Sequence, residues 1–247
     1  MLRNRCWILA VLAAALVVVP AHAQQEPASD SDASCMKDAM FVFDASGSMG
    51  TTDFSLKEPH IARVKRALRQ VLPEIPASRR MGLIVYGEGA YNKCDSIALR
   101  LRPQTNAGPI IMAEVEKVTP AGRTPLTQSV QDAAVVLNYQ SRPSVIVLLT
   151  DGEETCGGKT CDVARMLKKS SADLTIHVIG YRNKEAGGLS ATFGARCLAE
   201  ETGGQYISVE TTEQLVDALR KTLTCPLFTE NELRRLPMLA RQSMILG

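Results

Sequence analysis

Short apolar runs separated by amphipathic stretches constrain the fold of this chain more than any other feature. The runs are Met40–Phe43, Leu83–Tyr86, Val145–Leu149, Leu174–Ile179 and Tyr206–Val209. They are brief, rich in branched and aromatic residues, and suit strands buried on both faces. Helical spacing fills the gaps between them. Ile61, Val64, Leu68 and Val71 mark one face, Ile111, Val115 and Val118 a second, and Leu126, Val130, Ala134 and Leu137 a third, with Pro125 expected in its first turn. Val163, Met166 and Leu167 suggest a fourth helix. Ala195, Leu198 and Ala199 suggest a fifth, closed by Gly203-Gly204, and Leu215, Leu219 and Leu223 mark the last. Strand alternating with helix predicts a doubly wound α/β fold: a mainly parallel sheet of about six strands, covered on both faces. Only a short stretch separates Tyr86 from the alternating segment Ile97–Leu101. That is too little for a helical crossover, so this pair should form an antiparallel hairpin at the sheet edge.

The ends read differently. Residues 1–23 have the form of a secretory signal: Arg3 and Arg5, an apolar run from Trp7 to Val19, and Ala21-His22-Ala23 as a cleavage site after Ala23. That run is shorter than the ~20 residues needed to span a bilayer. Residues 24–34 are polar and read as a flexible lead-in, 35–225 as the folded domain, and 226–247 as a tail. The tail mixes Arg234, Arg235 and Arg241 with Leu, Met and Ile, so it could pack on the domain or touch a partner or membrane surface. Removing the signal leaves 26 basic against 26 acidic residues, which argues against a nucleic-acid binder. A secreted or periplasmic location is expected, and the lack of an Asn-x-Ser/Thr sequon fits a bacterial source.

Cysteine usage agrees with export. Beyond Cys6 there are Cys35, Cys94, Cys156, Cys161, Cys197 and Cys225, an even set that suits three disulfides in an oxidising compartment. No C-x-x-C occurs, and neither His60 nor His177 lies near a cysteine pair, so a zinc site is not indicated. If strands run up and helices down, Cys35 and Cys225 share the lower face and should pair. Cys94 and Cys156 then share the upper loops, and Cys161 and Cys197 are left to each other. A local Cys156–Cys161 ring beside Cys94–Cys197 is the competing scheme.

Three separated segments carry oxygen donors to the same kind of place. Asp44-Ala45-Ser46-Gly47-Ser48 follows the first strand, Gly122-Arg123-Thr124 precedes the third helix, and Thr150-Asp151-Gly152 follows the strand Val145–Leu149. In open α/β sheets, sites form beyond the carboxyl ends of strands where the winding reverses. Two carboxylates on neighbouring strands would repel unless a cation lay between them. An all-oxygen set with few charges suits Mg²⁺, with Mn²⁺ or Ca²⁺ as alternatives. Taken singly, Asp44 and Ser46 could cap a turn and Thr124 could cap a helix. Glu153 and Glu154 read as solvated loop charges, His60 as a surface residue at a helix start, and His177 as a satisfied core histidine.

The D-x-S-x-S run of Asp44, Ser46 and Ser48, with Thr124 and Asp151, resembles the metal-ion-dependent adhesion site of von Willebrand factor type A domains. The resemblance covers about Cys35 to Cys225. It implies that Ser46, Ser48 and Thr124 touch a divalent ion, that Asp44 and Asp151 act directly or through water, and that a protein partner supplies a Glu or Asp carboxylate to complete the coordination.

Two rival readings follow from the same residues. A Mg²⁺-dependent phosphoryl-transfer enzyme fits worse, because Ser46 stands where the haloacid-dehalogenase-like phosphatases need a second Asp for proton transfer. There is also no G-x-x-x-x-G-K-[ST], no G-x-G-x-x-G after a strand and no G-x-S-x-G, so the expectation is a binding protein, not an enzyme. The other rival is a disulfide-braced scaffold that binds its partner without metal.

Overall fold

A computed structural model describes residues 37–53, 57–91, 93–181 and 193–224. The expected signal, lead-in, tail and Cys35–Cys225 bridge lie outside these residues. The chain builds β1 (Asp38–Asp44), a short hairpin of β2 (Thr52–Asp53) and β3 (Glu58–Pro59), α1 (His60–Val71), β4 (Met81–Tyr86) and β5 (Ile97–Gln104). It continues through α2 (Ala107–Lys117), α3 (Leu126–Val136), β6 (Ser144–Thr150), α4 (Thr160–Ser170), β7 (Leu174–Tyr181), α5 (Phe193–Thr202), β8 (Tyr206–Val209) and α6 (Thr212–Leu223).

Six strands form one sheet in the order β5-β4-β1-β6-β7-β8. All neighbours are parallel except β4 and β5, whose antiparallel pairing makes β5 the edge strand. The chain winds outward from β1 through β4 to β5, then returns to β6 on the other side of β1. The winding therefore reverses at β1 and β6, which pair directly from Asp38↔Ser144 to Phe43↔Leu149.

The period-2 geometry of the strands splits the core into two layers. Phe41, Phe43, Val147 and Leu149 pack under α1, α2 and α6 with Ile61, Val64, Ile111, Leu215 and Leu219. Met40, Val42, Ile146 and Leu148 pack under α3, α4 and α5 with Leu126, Val130, Leu167 and Leu198. Met166 departs from the expected helix face: it is 44% exposed, and α4 buries Thr160, Ala164 and Leu167 instead. Pro125 stands just before the first turn of α3 and not within it. At the start of α6, Thr211 and Gln214 form a reciprocal capping box that satisfies two free helix N–H groups. Among the described residues no helix is long and apolar enough to cross a membrane.

Two disulfides brace the domain. Cys94 joins Cys156, tying the loop after β4 to the loop after β6. Cys161 joins Cys197, tying α4 to α5. Both pairings follow the expected scheme, and the local Cys156–Cys161 ring is not formed.

Candidate metal centre

Asp44 is the last residue of β1, and Asp151 directly follows the last residue of β6. Because β1 and β6 are adjacent, their exits place the two carboxylates side by side at the point of reversal. Asp44 is fully buried, Ser46 and Asp151 are 1% and 5% exposed, and Thr124 is 4% exposed. Ser48 is the exposed member of the set, so the centre opens to solvent on its side.

Hydrogen bonds organise four of the five expected residues into one cluster. The Ser46 N–H donates to Asp44 Oδ1 at 2.7 Å. The Thr150 hydroxyl donates to Asp44 Oδ2 at 2.7 Å. Ser46 and Ser48 hydroxyls lie 3.0 Å apart, and the Ser48 hydroxyl donates to Asp151 Oδ1 at 2.6 Å. Thr124 joins through its backbone neighbourhood: the Gly47 N–H donates to the Gly122 carbonyl at 2.9 Å, and Ala121 N–H to the Ala45 carbonyl at 3.2 Å. Among the described residues the Thr124 hydroxyl makes no hydrogen bond to the other four.

Glycines let the loops meet at close range: a Cβ on Gly122 would sit 2.9 Å from the Gly87 carbonyl oxygen. Gly87, at the exit of β4, has φ +84°, and a Cβ there would sit 2.5 Å from the Ser46 nitrogen. Its carbonyl accepts the Gly122 N–H at 2.6 Å, so it connects the Ser46 loop to the Thr124 loop.

Burial, and then the charge of Asp151, push the Asp44 carboxyl up to about 6, against the lowering effect of its Ser46 and Thr150 hydrogen bonds. Burial and the Asp44 charge likewise hold the neighbouring Tyr86 hydroxyl well above its ordinary range. Negative charge is therefore concentrated in a desolvated place beside three neutral hydroxyl oxygens. The donors are all oxygens, which is the set a hard divalent cation takes, and a cation would relieve the repulsion between the carboxylates.

Three residues that the sequence marks as incidental, or does not mark at all, help to build this place. His60 is not a free surface group: its Nδ1 lies 2.9 Å from Asp151 Oδ2 with a side chain only 13% exposed. Glu154 is not a solvated loop charge. Its Oε2 accepts the Thr127 N–H at 2.7 Å in the first turn of α3, and its Oε1 accepts the Cys156 N–H at 2.6 Å. Thr155 clamps Thr124 from both sides of its backbone, accepting the Thr124 N–H on its hydroxyl at 2.8 Å and donating its own N–H to the Thr124 carbonyl at 3.1 Å. Thr124 itself does not cap α3; that position belongs to Pro125. The sequence signal for Glu154 is only its place just beyond Asp151, and for His60 its place at a helix start.

Comparison with known proteins adds to this geometry. Residues 39–154 match the family model described as von Willebrand factor type A domain. Those residues carry the pattern of a von Willebrand factor type A domain. Its relatives include "Uncharacterized protein YwmC" of Bacillus subtilis (strain 168), 26% identical over 201 residues, which cover 78% of this chain and 84% of that protein. Among solved structures, a von Willebrand factor type A protein from Catenulispora acidiphila aligns with TM-score 0.57 at 17% identity, over 75% of this chain and 41% of that one. Proximal thread matrix protein 1 of the mussel byssus, with a zinc-occupied MIDAS motif, aligns with TM-score 0.55 at 17% identity, over 78% of this chain and 46% of that one. At these identities the structural likeness establishes the fold of the type A domain.

Proposed function

We propose that this type A domain captures a protein partner through a divalent cation, Mg²⁺ or a similar hard ion, held by Asp44, Ser46, Ser48, Thr124 and Asp151. The observation that carries the reading is the cluster itself: Asp44 accepts the Ser46 N–H, and the Ser46 and Ser48 hydroxyls run on to Asp151 where the sheet reverses, with Ser48 open to solvent. When bound, the cation supplies an electrophilic centre for a Glu or Asp carboxylate of the partner. The residues of the chain are arranged for that task. Both oxygens of Asp44 are already engaged by Ser46 and Thr150, which suits a carboxylate acting from behind the hydroxyls. Ser46, Ser48 and Thr124 offer neutral oxygens that leave a cation most of its charge. Low exposure around Asp44 and Asp151 strengthens electrostatic attraction at the centre. The role is binding and not catalysis, and the two disulfides support an exported protein working in an oxidising compartment.

The test is capture from a protein extract on the immobilised, oxidised chain. Retention in Mg²⁺, release by EDTA, and loss when the extract's carboxyl groups are esterified beforehand are the expected results. Retention that persists in EDTA would overturn this reading and favour the metal-independent scaffold.

A further inference from the structure

Asp151 has two oxygens, and they face different groups. Oδ1 accepts from the Ser48 hydroxyl, while Oδ2 lies 2.9 Å from His60 Nδ1. A carboxylate oxygen accepts, so the contact is a hydrogen bond in the His60 tautomer that has its proton on Nδ1. The His60 and Asp151 side chains are 13% and 1% exposed. This contact is therefore shielded from bulk water, unlike exposed pairs that contribute almost nothing.

His60 is itself held. Its ring meets Tyr181 edge to face, with centroids 5.4 Å apart and planes at 83°. Tyr181, the last residue of β7, is fully buried, and its hydroxyl accepts from Arg63 Nη1 at 3.1 Å. Arg63 is 3% exposed and stands one turn after His60 on α1, on the same side of the helix. The backbone N–H of His60 is fixed too, donating to the Thr51 carbonyl at 3.1 Å. Thus α1 and β7 together aim one imidazole N–H at the carboxylate that follows β6.

We propose that His60 is a positioning residue of the metal centre: it fixes the rotamer of Asp151, keeping Oδ1 on the Ser48 side, and so raises the affinity for a divalent cation. The inference rests on the metal reading above. A carboxylate already restrained through one oxygen loses less freedom when a cation recruits its surroundings, and outer-shell partners of this type commonly set affinity by about 10–100-fold.

The experiment measures Mn²⁺ binding to the oxidised chain from the paramagnetic resonance signal of the free ion, for wild type, His60→Ala and His60→Asn. The Asn amide nitrogen takes nearly the place of Nδ1 and keeps a donor there. His60→Ala should bind Mn²⁺ about 10-fold more weakly or worse, and His60→Asn should recover most of the loss, while metal-free unfolding midpoints change little. Equal affinity in wild type and His60→Ala would overturn the proposal and leave the metal centre standing. Weakened binding that tracked lost metal-free stability in both variants would make His60 a fold-holding residue and also overturn it. No Mn²⁺ binding by the wild type would overturn the metal reading and this inference together.

Discussion

Gly87→Ala is the substitution whose effect on the site can be worked out most directly. The residue has φ +84°, and an added Cβ would lie 2.5 Å from the Ser46 nitrogen, 2.7 Å from its Cα and 2.9 Å from the Ala45 carbonyl carbon. All three are backbone atoms, so no side chain can rotate out of the way. The left-handed backbone costs a residue with a Cβ about 1–2 kcal/mol, and forcing an extra carbon into a packed place adds about 1–3 kcal/mol. The variant should lose about 2–5 kcal/mol in urea unfolding of the oxidised protein. Gly203→Ala separates the two terms: Gly203 has φ +77° and nothing within 4 Å of an added Cβ. It should show the backbone cost alone, about 1–2 kcal/mol. Because the atoms displaced by the new methyl group belong to the loop carrying Ser46, Gly87→Ala should also weaken metal binding, and Gly203→Ala should not. Equal losses in the two variants, with metal affinity unchanged in both, would refute the idea that Gly87 lets the loops close on the centre.

Further predictions concern the supports of the domain. His177 Nδ1 accepts the Gln205 N–H at 3.2 Å, and burial, then Arg79, Lys221 and Lys37, hold its pKa down at about 4, below the ordinary 6.5. The unfolded chain binds that proton more readily, so stability should fall by about 3 kcal/mol as pH drops from about 6.5 to about 4. His177→Gln should flatten this part of a urea-unfolding profile, and an unchanged slope would refute it. Removing the Cys94–Cys156 bridge, whose cysteines are 62 residues apart, should cost about 2–4 kcal/mol. Because Cys156 lies on the Asp151 loop, metal affinity should fall further than on removing Cys161–Cys197, as calorimetry of Cys94→Ala/Cys156→Ala and Cys161→Ala/Cys197→Ala can show. Glu154→Ala leaves the Thr127 and Cys156 N–H groups without their acceptor and should lower stability by about 1–3 kcal/mol, measured by thermal unfolding at neutral pH.

The sheet is legible in the sequence because strands buried on both faces must be continuously apolar, and Phe41, Val147 and Val178 sit in such runs. The edge strand is legible for the opposite reason, since its alternating pattern follows β4 too closely for a crossover. Strand directions favour Cys94 beside Cys156 and leave Cys161 to Cys197, but it is the structure that decides against the local Cys156–Cys161 ring. The hairpin of β2 and β3 leaves no signal, as two residues per strand carry no periodicity. His60 reads wrongly because its partner is 91 residues away, and a histidine after a proline looks the same whether it meets water or a carboxylate. Glu154 reads wrongly for a similar reason: its acidity is visible locally, but the α3 N–H it satisfies is set by tertiary structure. The candidate carboxylates and hydroxyls stand out in the sequence because each follows or precedes an element whose end the sequence marks. Their order of engagement, with Asp44 enclosed and Ser48 open, depends on how the loops close in three dimensions.

Calorimetric titration of Mg²⁺ and Mn²⁺ into the oxidised chain, beside Asp44→Ala and Asp151→Ala, shows whether these two carboxylates hold a cation. Saturable binding of one ion per chain, lost in both variants while their circular dichroism stays that of the folded domain, is the predicted result. Binding that survives in both variants would move the cation elsewhere, and no binding by the wild type would contradict the metal centre itself.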